Sequence, residues 1–167
     1  MEFFESYGLI LILLAAGVGF VMAWAIGAND VANAMGISVG AKVLTLKQAI
    51  LVAALFEALG AVLASGNVAG TISHGIIHLE SLNDAPHLLV AGMIASLLSA
   101  GIWLLIASVK GWPVSTTHTI VGAIVGFGCI CVVPDNIQWV SIASIMSSWV
   151  LTPLVSAWVS YQLFRLV

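Results

Sequence analysis

The sequence predicts an all-α membrane protein, a polytopic bundle of about five transmembrane helices. It is 62% hydrophobic and only 7% charged, whereas soluble domains carry roughly 25% charged residues. The apolar residues form runs of about 20, the length of helix that spans a bilayer. The short alternating segments of a membrane β-barrel are absent, and so are the basic clusters that bind nucleic acid. A lipid bilayer is therefore the expected environment.

Five spans are predicted within a single transmembrane domain, 1–167. Their approximate bounds are 8–28, 48–65, 87–109, 115–133 and 137–163. The chain begins with acidic residues, whereas a cleaved signal peptide has a basic start and a short apolar core. The first run is therefore expected to remain as a helix.

The charges outside these spans predict the orientation of the chain. Five crossings place every basic residue on one side of the membrane: Lys42, Lys47, Lys110 and Arg165. The acids of the N-terminus and of the other loops fall on the other side: Glu2, Glu5, Glu80, Asp84 and Asp135. The excess of basic residues on cytoplasmic loops then predicts an external N-terminus and a cytoplasmic C-terminus in the cell (inner or plasma) membrane.

An odd number of spans has a further consequence, because a duplicated copy would insert upside down. Inverted pairs of this kind are common among transporters, with the site between the repeats. The sequence contains one copy of the octapeptide Gly-Ala-Asn-Asp-Val-Ala-Asn-Ala, at Gly27–Ala34. We therefore expect one repeat that works with a second repeat or as a homo-oligomer.

The first polar feature at membrane depth is the motif that contains Asn29, Asp30 and Asn33. Amide and carboxylate oxygens are hard ligands that suit Na⁺. Gly27 and Gly36 bracket the motif, and glycine permits the chain to leave helical geometry there. The alternative is a helix end at which Asp30 caps the next segment.

The second polar feature follows Pro113 and contains Ser115, Thr116, Thr117 and His118. Pro113 ends one segment, and Ser115 or Thr116 can cap the next. A helix start with several hydroxyls offers unpaired N–H groups and a positive dipole end, which suit an oxyanion such as phosphate or sulfate. The alternative is an ordinary helix cap after a turn.

The third polar feature is Glu57, an acid near the middle of the second span with no Lys or Arg in any span to pair with it. Intramembrane carboxylates usually have a function, here cation coordination or proton carriage; the alternative is a protonated glutamate without a function. An anion near Asp30 and Glu57 would be repelled at low dielectric. If the substrate is an anion, the sequence therefore favours coupling to Na⁺ or H⁺.

Two functions other than transport are alternatives for this sequence. An intramembrane hydrolase could use Ser115 as nucleophile and His118 as base, but the sequence offers no orienting acid or separate oxyanion motif. The protein is therefore not expected to be an enzyme. A half-length membrane subunit that does not transport is the other reading.

The two motifs Gly27–Ala34 and Pro113–His118 resemble the two signatures of the inorganic phosphate transporter (PiT) family. Further matching segments are Thr45–Ala49, Phe56–Glu57 and Gly75–Ile77. The resemblance covers nearly the whole chain and corresponds to the N-terminal repeat of a protein with two inverted repeats. It implies symport of inorganic phosphate with Na⁺. Alternatives are an H⁺-coupled permease for sulfate or metal–phosphate complexes.

The resemblance also implies a set of site residues. Phosphate would be bound by Asn33, Ser115, Thr116 and Thr117. Cations would be bound by Asn29, Asp30, Asn33 and Glu57, with Na⁺ at Asp30 and Asn29. No cofactor is implied other than the co-transported ion.

Overall fold

The computed structural model describes residues 2–78, 82, 85–132 and 134–166. It contains five α-helices, α1 (Glu2–Gly40), α2 (Leu46–His74), α3 (Pro86–Lys110), α4 (Thr116–Cys131) and α5 (Trp139–Leu166), with a short 3₁₀ helix at Pro134–Asn136. Among the described residues, four helices are long and apolar enough to cross a membrane, and α4 is a shorter apolar helix. The predicted all-α bundle is confirmed.

The first helix differs from the prediction. A span was expected to end near residue 28, but α1 continues through the polar motif to Gly40. Gly27 and Gly36 are helical, so the expected departure from helix geometry does not occur, and the alternative of Asp30 as a helix cap is wrong. At 39 residues, α1 is about 58 Å long, nearly twice the roughly 30 Å of a hydrocarbon core. Likewise, α2 extends beyond its predicted end at residue 65 to His74.

The other helix ends follow local chemistry. The side chain of Thr45 and that of Gln48 form a capping box at the start of α2. Pro86 is the first residue of α3, where its missing N–H is harmless. Gly111 ends α3 in the left-handed conformation, with φ of 68°, which glycine adopts without strain. This turn directs the chain from α3 into the loop before α4.

Small residues allow α1, α3 and α4 to pack closely. Gly101 of α3 lies against the backbone of Met22 in α1. On another side of α3, a Cβ on Gly92 would fall 2.0 Å from the Phe127 ring of α4. The Ser96 hydroxyl donates to the carbonyl of Ala123 at 3.3 Å. These three helices form the packed unit of the molecule, which we call the α1–α3–α4 unit.

The remaining helices are held differently. The loops before α3 and α5 are joined by an antiparallel bridge between Ile77 and Ile137, both buried in an apolar cluster with Ile76. The second half of α5, residues 150–166, is exposed throughout. The structure therefore has a packed unit and two outer helices, α2 and α5, with large exposed apolar faces.

Candidate functional site

The start of α4 lies against the middle of α1 through one pair of side chains. The Thr116 hydroxyl is 2.9 Å from Asp30 Oδ1 and 2.8 Å from Asp30 Oδ2. Both residues are half-buried. Since Thr116 is the first residue of α4, the carboxylate lies at a helix N-terminus, where the dipole favours negative charge. A predicted cation ligand thus contacts the predicted anion cradle.

Two asparagines fix the loop before α4 onto α1. Asn29 is 5% exposed, and its Nδ2 donates to the carbonyl of Trp112 at 3.1 Å. Asn33 Nδ2 donates to Asn29 Oδ1 at 3.1 Å and to the carbonyl of Val114 at 3.5 Å. The amide nitrogens therefore position the loop on both sides of Pro113.

Ser115 forms the N-cap of α4, as one of the local readings predicted. Its Oγ accepts a hydrogen bond from the backbone N–H of His118 at 3.3 Å, and its carbonyl accepts one from the Thr119 hydroxyl at 2.9 Å. Thr117 follows in the first turn with an exposed side chain. The hydroxyls of residues 115–117 thus surround the start of one helix.

The His118 ring does not activate Ser115. It packs edge-on against the indole of Trp149 in α5, with ring centroids 3.7 Å apart. Within the described part of the chain, no hydrogen bond joins the His118 ring to Ser115 Oγ. The arrangement that a hydrolase would need is therefore not formed.

A cavity of about 580 Å³ borders the site and reaches all five helices. Its lining is mainly apolar, and its hydroxyl-bearing residues are Thr71, Ser96, Thr116 and Thr117. A dehydrated divalent anion is costly among apolar side chains. An anion bound here would therefore stay at the polar end, beside Thr116 and Thr117.

Glu57 is not part of this cluster. It lies on α2 with an exposed side chain, four residues after the buried Ala53, which packs in the chain's interior. Within the described residues, its side chain makes no hydrogen bond or ion pair. The structure thus groups six predicted residues (Asn29, Asp30, Asn33, Ser115, Thr116 and Thr117) and leaves Glu57 apart.

A comparison with protein families identifies the chain. The model of the "Phosphate transporter family" matches residues 26–167, which include the whole site. The chain belongs to this family. The predicted resemblance is therefore confirmed, and the family is one of transporters rather than enzymes. Its apolar helices make this family member a multi-pass membrane protein.

Individual relatives agree with this assignment. A Haemophilus influenzae protein named "Putative phosphate permease" is 48% identical over 164 residues, covering 98% of this chain and 39% of the relative. "Inorganic phosphate transporter 2-1, chloroplastic" of Arabidopsis thaliana is 48% identical over 149 residues, covering 89% of this chain and 25% of that protein.

A solved structure entitled "The sodium-dependent phosphate transporter" has the same fold. The TM-score is 0.88 and the identity is 41%, over 95% of this chain and 39% of that one. The chain thus spans about two fifths of the length of this neighbour and of the Haemophilus influenzae relative.

The sequence analysis missed the groups that hold the site together. No sequence motif marks these groups, which are the carbonyls of Trp112 and Val114 and the indole of Trp149. Asn29 and Trp112 are 83 residues apart in sequence, so no local pattern could pair them. The available signal was that two amides, Asn29 and Asn33, are four residues apart and therefore share one face of a helix.

Proposed function

We propose that this chain is one repeat of a secondary transporter that carries inorganic phosphate across the cell membrane together with Na⁺. The observation that carries the proposal is the Asp30 carboxylate at the hydroxyl-lined N-terminus of α4. This arrangement brings a cation ligand and oxyanion donors into contact. Family membership and the sodium-dependent transporter of similar fold support phosphate and Na⁺ as the pair of ions.

The need for a cation follows from charge. The chain has four Lys and Arg residues, all of them in loops or near helix ends, and in the described structure none is bonded to Asp30 or Thr116. Phosphate placed beside Thr116 would face the Asp30 carboxylate without a basic partner, and such repulsion is strong at low dielectric. A Na⁺ ion bound at Asp30 would supply the missing positive charge.

The roles of the residues follow from their positions. Asp30 and the Oδ1 atoms of Asn29 and Asn33 are proposed to coordinate Na⁺. Ser115, Thr116 and Thr117 are proposed to donate to phosphate, with the Asn33 amide at the boundary between the two ions. Glu57 would act on a cation only from a separate position on α2. No cofactor beyond the co-transported ion enters the proposal.

The pathway requires more than this repeat. The exposed apolar faces of α2 and α5 suit lipid or a second copy. An inverted second repeat would bring a second polar cluster to the same depth. In the proposed orientation the N-terminus is external and the C-terminus is cytoplasmic.

The test is uptake of radiolabelled phosphate by the protein expressed from its complete gene and reconstituted in vesicles. An inward Na⁺ gradient should drive accumulation, and an equal choline gradient should not. Uptake driven by a proton gradient alone would replace Na⁺ by H⁺, and full competition by sulfate would change the substrate. No uptake under any gradient would favour a non-transporting subunit.

A further inference from the structure

We infer that the Thr116 hydroxyl exchanges partners during binding, donating to Asp30 when the cation is absent and to phosphate when the cation is bound. Thr116 would then be a phosphate donor that also links the two ions. This inference rests on the proposed function and goes beyond it, because it assigns part of the coupling between the ions to one side chain.

The structure shows the first of these two states. A hydroxyl group has one proton, and both Asp30 oxygens lie 2.8–2.9 Å from Thr116 Oγ1. The proton is therefore committed to the carboxylate. In this state, a phosphate ion at the start of α4 could not accept a hydrogen bond from Thr116, because the hydroxyl already donates to Asp30.

The position of Thr116 allows the second state. Besides contacting Asp30, the residue lines the cavity of about 580 Å³. Rotation of the hydroxyl about its own bond can direct the proton away from the carboxylate without moving the helix. Thr116 thus borders both the internal carboxylate and the space open to a ligand.

The cation decides which partner is favoured. Among the described residues, the Thr116 hydroxyl is the hydrogen-bond donor to Asp30, and the α4 dipole also favours the carboxylate there. If the Thr116 hydroxyl turned away and nothing replaced it, the half-buried Asp30 carboxylate would lose this hydrogen bond. Na⁺ at Asp30 provides stronger compensation, so it releases the hydroxyl. Each ion then raises the affinity for the other by the same factor.

The asparagines serve as the contrast. Asn29 and Asn33 donate to backbone carbonyls of the loop, so a change of partner would release the loop itself. They hold the start of α4 in place, whereas Thr116 can change partners with the loop fixed.

The experiment compares the wild-type protein, expressed from its complete gene, with Thr116→Val and Thr116→Ser. Binding of ²²Na⁺ is measured with and without phosphate, and binding of ³²P-phosphate with and without Na⁺. The coupling factor is the ratio of the affinities. Valine keeps the shape and removes the hydroxyl, and serine keeps the hydroxyl.

We expect Thr116→Val to bind Na⁺ alone severalfold more tightly, because no donor competes for Asp30. Its coupling factor should fall roughly tenfold, the order of a hydrogen bond to a charged group. Thr116→Ser should retain the wild-type coupling factor.

Three results would overturn the inference. The first is an unchanged coupling factor in Thr116→Val, with phosphate affinity reduced equally at all Na⁺ concentrations. The second is an affinity of Thr116→Val for Na⁺, measured without phosphate, that is unchanged or weaker than that of the wild type. This measurement remains informative even if the variant no longer binds phosphate. The third is a serine variant that behaves like the valine variant. Failure of the proposed function is distinguishable, since it would appear as a wild-type protein that binds no phosphate at any Na⁺ concentration.

Discussion

The two acids predicted at membrane depth, Asp30 and Glu57, have opposite environments. Asp30 lies in the α1–α3–α4 unit, half-buried and bonded to Thr116 at the start of α4. Glu57 lies on the outer helix α2 with an exposed side chain. The repeat thus compensates the charge of Asp30 with its own groups. The charge of Glu57 is left to be compensated by partners outside the repeat. The difference shows which acid belongs to a site that this repeat builds by itself.

The packing of the two regions explains the difference. Close approach at Gly92 and Gly101 brings α3 against both α1 and α4, and the polar residues of α1 then reach the α4 start. By contrast, α2 touches α1 mainly near its own N-terminal half, where Ala49 and Ala53 are buried. The site therefore depends on the packed unit, and the outer helices remain available to lipid or a second repeat.

The largest effect is expected for Asp30→Asn. The change removes the charge that is proposed to hold the cation but keeps an acceptor for Thr116. Removing one member of a buried charge pair costs about 3–5 kcal/mol, so Na⁺-driven phosphate uptake should fall by roughly a hundredfold or more. Uptake is measured in vesicles, with Asp135→Asn, an exposed acid outside the site, as the matched control. Uptake by Asp30→Asn that still follows the Na⁺ gradient would refute the role of Asp30.

The next effect is expected for Asn29→Ala. This substitution removes the donor to the Trp112 carbonyl and the nearer acceptor of the Asn33 amide, each at 3.1 Å, and leaves Asn33 with its longer contact to the Val114 carbonyl. A lost buried hydrogen bond costs about 1–3 kcal/mol, so phosphate affinity should fall roughly tenfold and the thermal midpoint in detergent should decrease. Asn33→Ala, at an exposed position, should lose less thermal stability. The reverse order would contradict the assignment of Asn29 as the main tether.

A stability change is expected for Gly92→Ala within the packed unit. The added methyl group would lie 2.0 Å from the Phe127 ring, and relief of such overpacking costs about 1–3 kcal/mol. The matched control is Gly122→Ala, whose Cβ would meet nothing within 4 Å. Alanine there should leave stability unchanged or raise it by up to about 1 kcal/mol through helix propensity. The two variants are compared by their unfolding midpoints in detergent. Equal midpoints for Gly92→Ala and Gly122→Ala would mean that α3 and α4 are not closely packed.

The smallest effect is expected for Glu57→Gln. An exposed charge interacts by about 0.2–1 kcal/mol, so the Na⁺ concentration for half-maximal uptake should rise about fivefold at most. Glu57→Asp keeps the charge and serves as the control. A loss as large as that of Asp30→Asn would instead place Glu57 at a cation site completed by another part of the transporter.

The sequence predicted the fold class because hydropathy and length determine which segments can be membrane helices. It also placed the cap of α4 at Ser115 or Thr116, of which Ser115 is the cap, since capping is decided within four residues. The helical course of α1 through Asp30 was not predicted. The polar side chains of that segment are satisfied by the loop before α4, so the backbone has no need to leave the helix. The Asn29–Trp112 and Asp30–Thr116 bonds join positions more than 80 residues apart, which a single sequence cannot pair.

The most direct test of the central claim is a reciprocal binding titration on the wild-type protein expressed from its complete gene. Phosphate affinity is measured across Na⁺ concentrations, and Na⁺ affinity across phosphate concentrations. If a cation at Asp30 offsets the charge that repels phosphate, each ion must raise the affinity for the other by the same factor, on the order of tenfold or more. Phosphate that binds equally well with and without Na⁺ would contradict the claim.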